Sequence, residues 1–232
     1  MIDLRLGRWQ DVLADVTTCD AVICDPPYSA RTHEGHDARA ESNVRWANNG
    51  GQRRSLDYTS WTPDDVEEFV SSWAPRCRGW MVCFTSHDLS STYTSAYERA
   101  GLYAFAPLPW YCPGSRVRLS GDGPSSWTCW ILVARPRHEP YSRWGTLPGG
   151  YQTRPEDCPV VGGKPLGLMR AVVRDYSRPG DLVVDPFAGA GTTALACRAE
   201  GRRCITSEAM PEHYEIARRR IEAPSTLELF GG

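Results

Sequence analysis

Leu182-Val183-Val184-Asp185-Pro186-Phe187-Ala188-Gly189-Ala190-Gly191-Thr192-Thr193-Ala194 is the stretch on which the fold turns. A short apolar run meets an acid, a proline and two closely spaced glycines, and a helix-forming segment follows to Glu200, stopped by Gly201. This is a strand, a tight turn and a helix in succession. Gly189-x-Gly191-x-x-Ala194 fits the nucleotide-binding fingerprint in its alanine variant. In that reading one glycine makes the turn, and the next lets backbone N–H groups approach a ligand closely.

Nineteen residues after Gly189, at the end of the next expected strand (Cys204-Ile205-Thr206), stands Glu208. That is where a ribose-holding acid belongs. Only 41 residues follow Gly191, too few for a complete dinucleotide-binding half. Asp185 also puts negative charge where a pyrophosphate would sit badly. A cofactor with an amino group or positive charge suits it better, and S-adenosylmethionine has both, with a ribose for Glu208.

The same strand logic applies near the N-terminus. Ala21-Val22-Ile23-Cys24 is continuously apolar, as in a strand buried on both faces. It ends in Asp25-Pro26-Pro27-Tyr28. Two prolines make a rigid turn that fixes an acid, a carbonyl and an aromatic ring at the strand's C-terminal edge. Ligands of open α/β sheets bind at that edge.

Around these two turns the chain alternates short apolar runs with helical periodicity. Strands are expected at Ile2–Leu6, Trp80–Thr85, Tyr103–Tyr111 and Trp127–Ala134, besides those already named. Thr62-Pro63-Asp64-Asp65 opens a helix with inward Val66, Phe69, Val70 and Trp73. Tyr93, Ala96, Tyr97 and Ala100 form a second helical face. Leu166, Met169, Val173 and Tyr176 form a third, and Tyr214, Ala217 and Ile221 a last. Seven strands with interspersed helices make the class α/β, in one domain with no internal repeat. Two aperiodic stretches, 29–60 and 135–163, read as insertions. The first, directly after Tyr28, is expected to be mobile and to close over a substrate.

Composition excludes several classes. The chain has 232 residues, 41% apolar and 23% charged, with a net charge of −2, so it is neither disordered nor globally basic. Any nucleic-acid contact must come from a local patch. Lys164 is its one lysine. No apolar run approaches eighteen residues and no signal-peptide core is visible, so a cytoplasmic protein without a membrane span is expected. The nine cysteines form no C-x-x-C pair and mostly lie in apolar runs, which reads as buried, reduced thiols. His33 and His36 have H-x-x-H spacing in a polar loop without partners, and no metal site is assigned.

The two turns, in this order, resemble the amino-methylating DNA methyltransferases of permuted motif order, often called the β class. Gly162-Gly163-Lys164-Pro165-Leu166 is similar to the segment that precedes the cofactor strand in that family. Glu208 with Pro211, Tyr214, Ala217 and Arg220-Ile221 is similar to its ribose strand and following helix. Leu227-Glu228-Leu229-Phe230 is similar to a common tail. At Leu6-Gly7-Arg8-Trp9 the sequence departs from the family, which usually carries Gly-Asp there. The region available for a target-recognition domain, 135–163, is small, and a short or relaxed target sequence is expected.

The resemblance implies a Rossmann-like seven-stranded methyltransferase sheet, mostly parallel with an antiparallel hairpin. It implies a target-base half over 1–134 and a cofactor half over 164–232. It implies S-adenosylmethionine held by Asp185, Phe187, Gly189, Gly191, Thr192, Thr193 and Glu208, with Lys164 and Asp25 contributing. The catalytic turn would be Asp25, Pro26, Pro27 and Tyr28, acting on an exocyclic amine of a base flipped out of DNA. Asp in the tetrapeptide's first position favours adenine N6, with cytosine N4 as the alternative. An RNA or small-molecule amine acceptor is less favoured. Tyr28, Arg31, Arg53, Arg54, Arg116 and Arg118 would contact DNA, with Arg39 and Arg45 available to phosphates. A bacterial or phage source is implied, and a homodimer is compatible with Trp- and Tyr-rich helix faces.

Overall fold

The computed structural model describes residues 1–30, 60–115, 124–138, 144–160 and 162–224. Nine strands form one sheet: β1 (Ile2–Leu6), β2 (Cys19–Cys24), β3 (Cys77–Thr85), β4 (Leu102–Ala104), β5 (Leu108–Tyr111), β6 (Thr128–Pro136), β7 (Tyr151–Gln152), β8 (Leu182–Asp185) and β9 (Arg203–Glu208). Their order is β1-β9-β8-β2-β3-β6-β5-β7, with β4 also on β6. β1, β9, β8, β2 and β3 run parallel, β6 is antiparallel to β3, β4 and β5, and β7 is parallel to β5. The described helices are α1 (Trp9–Val12), α2 (Pro63–Trp73), α3 (Ser90–Arg99), α4 (Leu166–Tyr176), α5 (Thr192–Ala199) and α6 (Pro211–Glu222), with a 3-10 turn at His87–Leu89.

The sheet is thus mostly parallel with an antiparallel portion, as expected, but it has nine strands where seven were read. The expected strand 103–111 is broken in two. β4 ends at Ala104 and β5 starts at Leu108. From Leu102 to Leu108 that chain advances six residues, while β6 advances five, from Pro136 to Ile131. Pro107 lies in this break and has no N–H for the ladder, which favours a bulge there. β7 lies inside 135–163, where no strand was read. It is two residues long, too short to show any periodicity.

β2 justifies its continuous apolar run. Val22 and Cys24 face one core with Trp9, Phe69, Trp73, Tyr93 and Tyr97. Ala21 and Ile23 face a second core with Leu168, Met169, Val172 and Tyr176. Helices α1, α2 and α3 cover one face of the sheet and α4 and α5 the other. α2 starts with a full capping box: the Thr62 hydroxyl accepts from the Asp65 N–H, and Asp65 accepts from the Thr62 N–H.

Three apolar faces differ from the reading. Leu6 and Leu166 are exposed, because each lies at the end of its element beyond the packed face. In α4, Leu168 and Val172 complete the buried stripe instead. In α6 Ala217 is buried, while Tyr214 and Ile221 are only partly covered.

From β2 the chain continues toward β3, whereas from β8 it continues toward β9 on the other side. The sheet therefore switches direction between β8 and β2, and the C-terminal ends of these two neighbours open a crevice. The Asp25 turn leaves one end, and the Asp185 turn leaves the other.

Candidate active site

At the end of β2, Tyr28 is buried and its hydroxyl donates to Asp25 Oδ1 at 3.0 Å. The hydroxyl also lies 2.9 Å from Cys129 Sγ on β6. Asp25 Oδ2 accepts from the Lys164 ammonium. That ammonium donates as well to the Gly162 carbonyl at 3.1 Å. Its side chain is 4% exposed, against 26% for Asp25. Three ring faces surround it: Tyr28 at 5.3 Å, Phe84 at 5.4 Å and Trp110 at 5.8 Å. Burial of an ammonium is costly, and a carboxylate, a carbonyl and three rings together offset that cost. Beyond Tyr28 the chain is pinned: the Trp61 N–H donates to the Tyr28 carbonyl at 2.9 Å, and Ser29 bridges Trp61.

The neighbouring turn is built differently. Asp185 is 2% exposed. One carboxylate oxygen accepts from the Phe187 N–H at 3.0 Å, and the Thr193 hydroxyl is a second partner. No cation pairs with it among the described residues. Burial pushes its carboxyl up to about 7, the more so because the charges of Asp25 and Glu208 lie nearby. Phe187 packs edge-on against Trp61, with ring centroids 5.3 Å apart, and against Phe69 at 5.7 Å.

Gly189 and Gly191 both have positive φ, +52° and +76°. Their amides are used within the protein. The Gly189 N–H donates to Glu208 Oε2 at 2.8 Å, and the Gly191 N–H to the Ala188 carbonyl at 2.7 Å. Glu208 Oε1 accepts from the Met210 N–H at 2.9 Å. Glu208 thus ties the glycine turn to the end of β9, and each oxygen keeps a further lone pair for a ligand. Gly191 faces α6. A Cβ there would lie 3.2 Å from the Ala217 Cβ and 3.3 Å from Ile221 Cδ1. Arg220, also on α6, donates to the Ala190 carbonyl and to the Thr192 hydroxyl.

The sequence-derived residues therefore separate into groups. Asp25, Tyr28 and Lys164 are in direct contact, and Pro26 and Pro27 form the turn between the first two. Asp185, Phe187, Gly189, Thr193 and Glu208 line the adjacent strand ends. Gly191 and Thr192 are also engaged by α6. Lys164 sits on Asp25 and forms no hydrogen bond or ion pair with the glycine turn. Arg31, Arg39, Arg45, Arg53, Arg54, Arg116 and Arg118 lie outside the described residues, as does 31–59 of the closing loop expected over 29–60. Cys129, Phe84 and Trp110 complete the site and were not read as site residues. Each lies in an ordinary apolar strand pattern, so no local signal marks it. Beside them a cavity of about 160 Å³ is lined by Trp110, Trp127, Cys129, Cys158, Gly163 and Pro165, among others.

No group of three or more His, Cys, Asp or Glu suited to a metal occurs among the described residues. There is also no helix among them long and apolar enough to cross a membrane.

Comparison with known proteins gives a consistent picture. The DNA methylase family profile for N6 and N4 enzymes matches residues 152–219, the stretch from β7 through the glycine turn into α6. Type II methyltransferase M2.DpnII of Streptococcus pneumoniae is 26% identical over 232 residues, spanning 88% of this chain and 82% of its own. Type II methyltransferase M.Cfr9I of Citrobacter freundii is 26% identical over 145 residues, 56% of this chain; the chain spans only about half, 48%, of that relative. DNA adenine methyltransferase YhdJ of Escherichia coli (strain K12) is 39% identical over 62 residues, 27% of this chain and 21% of its own. The crystal structure of the M1.HpyAVI–SAM complex superposes with a TM-score of 0.69 over 96% of this chain and all of the other. At 22% identity it is a likeness of fold. From β7 through the glycine turn and the acid that closes it, the chain is thus similar to N6 and N4 DNA methylases.

Proposed function

We propose that the protein transfers a methyl group from S-adenosylmethionine to an exocyclic amine of a base in DNA, with adenine N6 as the acceptor. The observation that carries this reading is the meeting of two unlike carboxyl sites on neighbouring strand ends. Asp25 is a partly exposed carboxylate held by a hydroxyl and an ammonium. Asp185 is a buried carboxyl with no cation paired to it among the described residues.

The residues fit the cofactor. Asp185 in a dry setting offers a strong partner to a cationic group, and the spare lone pairs of Glu208 suit ribose hydroxyls. When bound, S-adenosylmethionine supplies an electrophilic methyl group. An exocyclic amine is a weak nucleophile because its lone pair is delocalised into the ring. Asp25 and the carbonyl of Pro26 are placed in sequence to accept its two N–H bonds, which draws the nitrogen toward tetrahedral geometry. Asp25 then stabilises the positive charge that grows on nitrogen. Its carboxylate oxygens retain lone pairs beside the donors they already have. Tyr28 offers an aromatic face to the base, and the base must leave the duplex to reach this crevice. Asp as the first residue of the tetrapeptide supports adenine. The likeness of a 62-residue stretch to an adenine methyltransferase points the same way.

Incubation of the protein with DNA and S-adenosylmethionine, followed by mass spectrometry of the nucleosides, tests the reading. N6-methyl-2′-deoxyadenosine is expected. N4-methylcytosine would replace the acceptor and keep the chemistry, and no methylated base would end the proposal. The described part of the 135–163 insertion lies on the sheet edge: Trp144 packs on Trp80 with ring centroids 5.7 Å apart, and β7 pairs with β5. Little of it is left to read a long target, which supports a short or relaxed recognition sequence.

A further inference from the structure

We infer that Lys164 is a positioning residue of the acceptor site: it fixes the Asp25 carboxylate for the target amine, and it does so from outside the cofactor turn. This rests on the methyl-transfer reading above. Three observations support it. Lys164 is the chain's one lysine and is almost fully buried, yet its hydrogen bonds and ion pair go to Asp25 and Gly162 and none to the Asp185–Thr193 turn. Its ammonium and the Tyr28 hydroxyl take one oxygen each of Asp25. The carboxylate is therefore held at both ends, and its rotation is blocked before any substrate arrives. The ammonium is itself held by Gly162, one turn before α4, and by ring faces from three different elements, Tyr28, Phe84 and Trp110.

The physical need is plain. Asp25 leaves a proline turn at the end of a strand and is a quarter exposed, so nothing in its own backbone fixes its χ angles. Hydrogen-bond acceptors contribute to a transition state only if they are already aimed when charge develops. A displacement of about 1 Å costs on the order of 10²-fold in rate. Three ring faces and a carbonyl also moderate the ammonium's own charge, so its field opposes the growing charge on the amine less than a bare cation would.

The test is Lys164→Met, which keeps much of the apolar stem and removes the charge. Wild-type protein is first shown to methylate DNA; if it does not, the functional reading fails by itself. With an active wild type, Lys164→Met is expected to lower kcat on the order of 10²-fold. Its Kd for S-adenosylmethionine by calorimetry should stay within threefold, and its far-ultraviolet circular dichroism should be native. Lys164→Ala should regain activity in a saturable manner with propylammonium in the buffer, because a small cation can enter the vacated cage. An unchanged kcat overturns the proposal. A weakened cofactor Kd with kcat intact at saturation makes Lys164 a cofactor ligand and also overturns it. A fall in KM for DNA with kcat raised shows that Lys164 blocks the site, with the same consequence.

Discussion

The turns after β2 and β8 are neighbours in the sheet, both begin with Asp-Pro, and they solve opposite problems. Asp25 has partners: its carboxylate is partly exposed, paired with Lys164 and bonded by Tyr28. At Asp185 the charge is withheld: burial pushes the carboxyl up to about 7, and no described cation answers it. One turn is stiffened by two prolines and a buried ring, the other by glycines whose amides are spent inside the protein. The same residue type thus serves as a preassembled acceptor on one strand and as an unmet demand for positive charge on the next. Under the proposed function, this difference gives the two turns to two substrates.

The largest effect that would break this comparison concerns Asp25. Asp25→Asn keeps the shape and removes the charge, and methyl transfer to DNA should fall by roughly 10³-fold or more. Binding of S-adenosylmethionine by calorimetry should change little. Activity within tenfold of wild type would show that the two turns do not divide the work in this way.

Next in size is the tolerance of the glycine turn. Gly191→Ala must place a side chain at φ +76° and within 3.2 Å of the Ala217 Cβ. A cost of about 2 kcal/mol follows, or a fall in Tm of about 4–8 °C for a chain of this length. Thermal denaturation should show it, and Pro27→Ala in the other turn should cost clearly less.

A third, smaller effect is the pH dependence set by Asp185. In the free protein its carboxyl stays protonated up to about 7, whereas in the unfolded chain it ionises near 3.8. Between those values the unfolded state binds fewer protons, so the stability contributed by Asp185 falls as pH rises from about 4 to about 7 and is level above. A cationic cofactor prefers the ionised form, so its affinity should weaken as pH drops below 7, and binding at pH 6 should release a proton. Calorimetry in buffers of different ionisation enthalpy measures that proton. Asp185→Asn should remove both trends, and their persistence would relocate the titrating group.

The smallest expected effect lies on the rim. Trp127 is 38% exposed and packs on Tyr111, itself 39% exposed, beside the cavity near Lys164. Trp127→Ala should leave Tm within about 1 °C and raise KM for DNA severalfold, as loss of one stacking contact does. An unchanged KM confines base contacts to the Tyr28 side.

Much of this arrangement was legible in the residues. The capping box at Thr62, the glycine turn and the doubly buried β2 obey rules that act within a few residues. Glu208 was read as an acid at the strand end and is there, but its first partners are the N–H groups of Gly189 and Met210. Lys164 was read with the cofactor and lies on Asp25. In the fold, Trp110 and Trp144 are partly buried against the core, with the Arg178 guanidinium 4.0 Å from the Trp144 ring, while Trp127 is the exposed one.

By itself the chain determined its class and its two turns, because periodicity, prolines and glycines restrict the backbone where they stand. Tertiary structure alone decided which partners those turns meet. Lys164 is 139 residues from Asp25, Cys129 is 101 from Tyr28, and Asp20 accepts from the Leu182 N–H across 162. No local pattern encodes such separations. They arise because a parallel sheet brings its strand ends to one edge regardless of chain order, and burial then selects which charges stay paired.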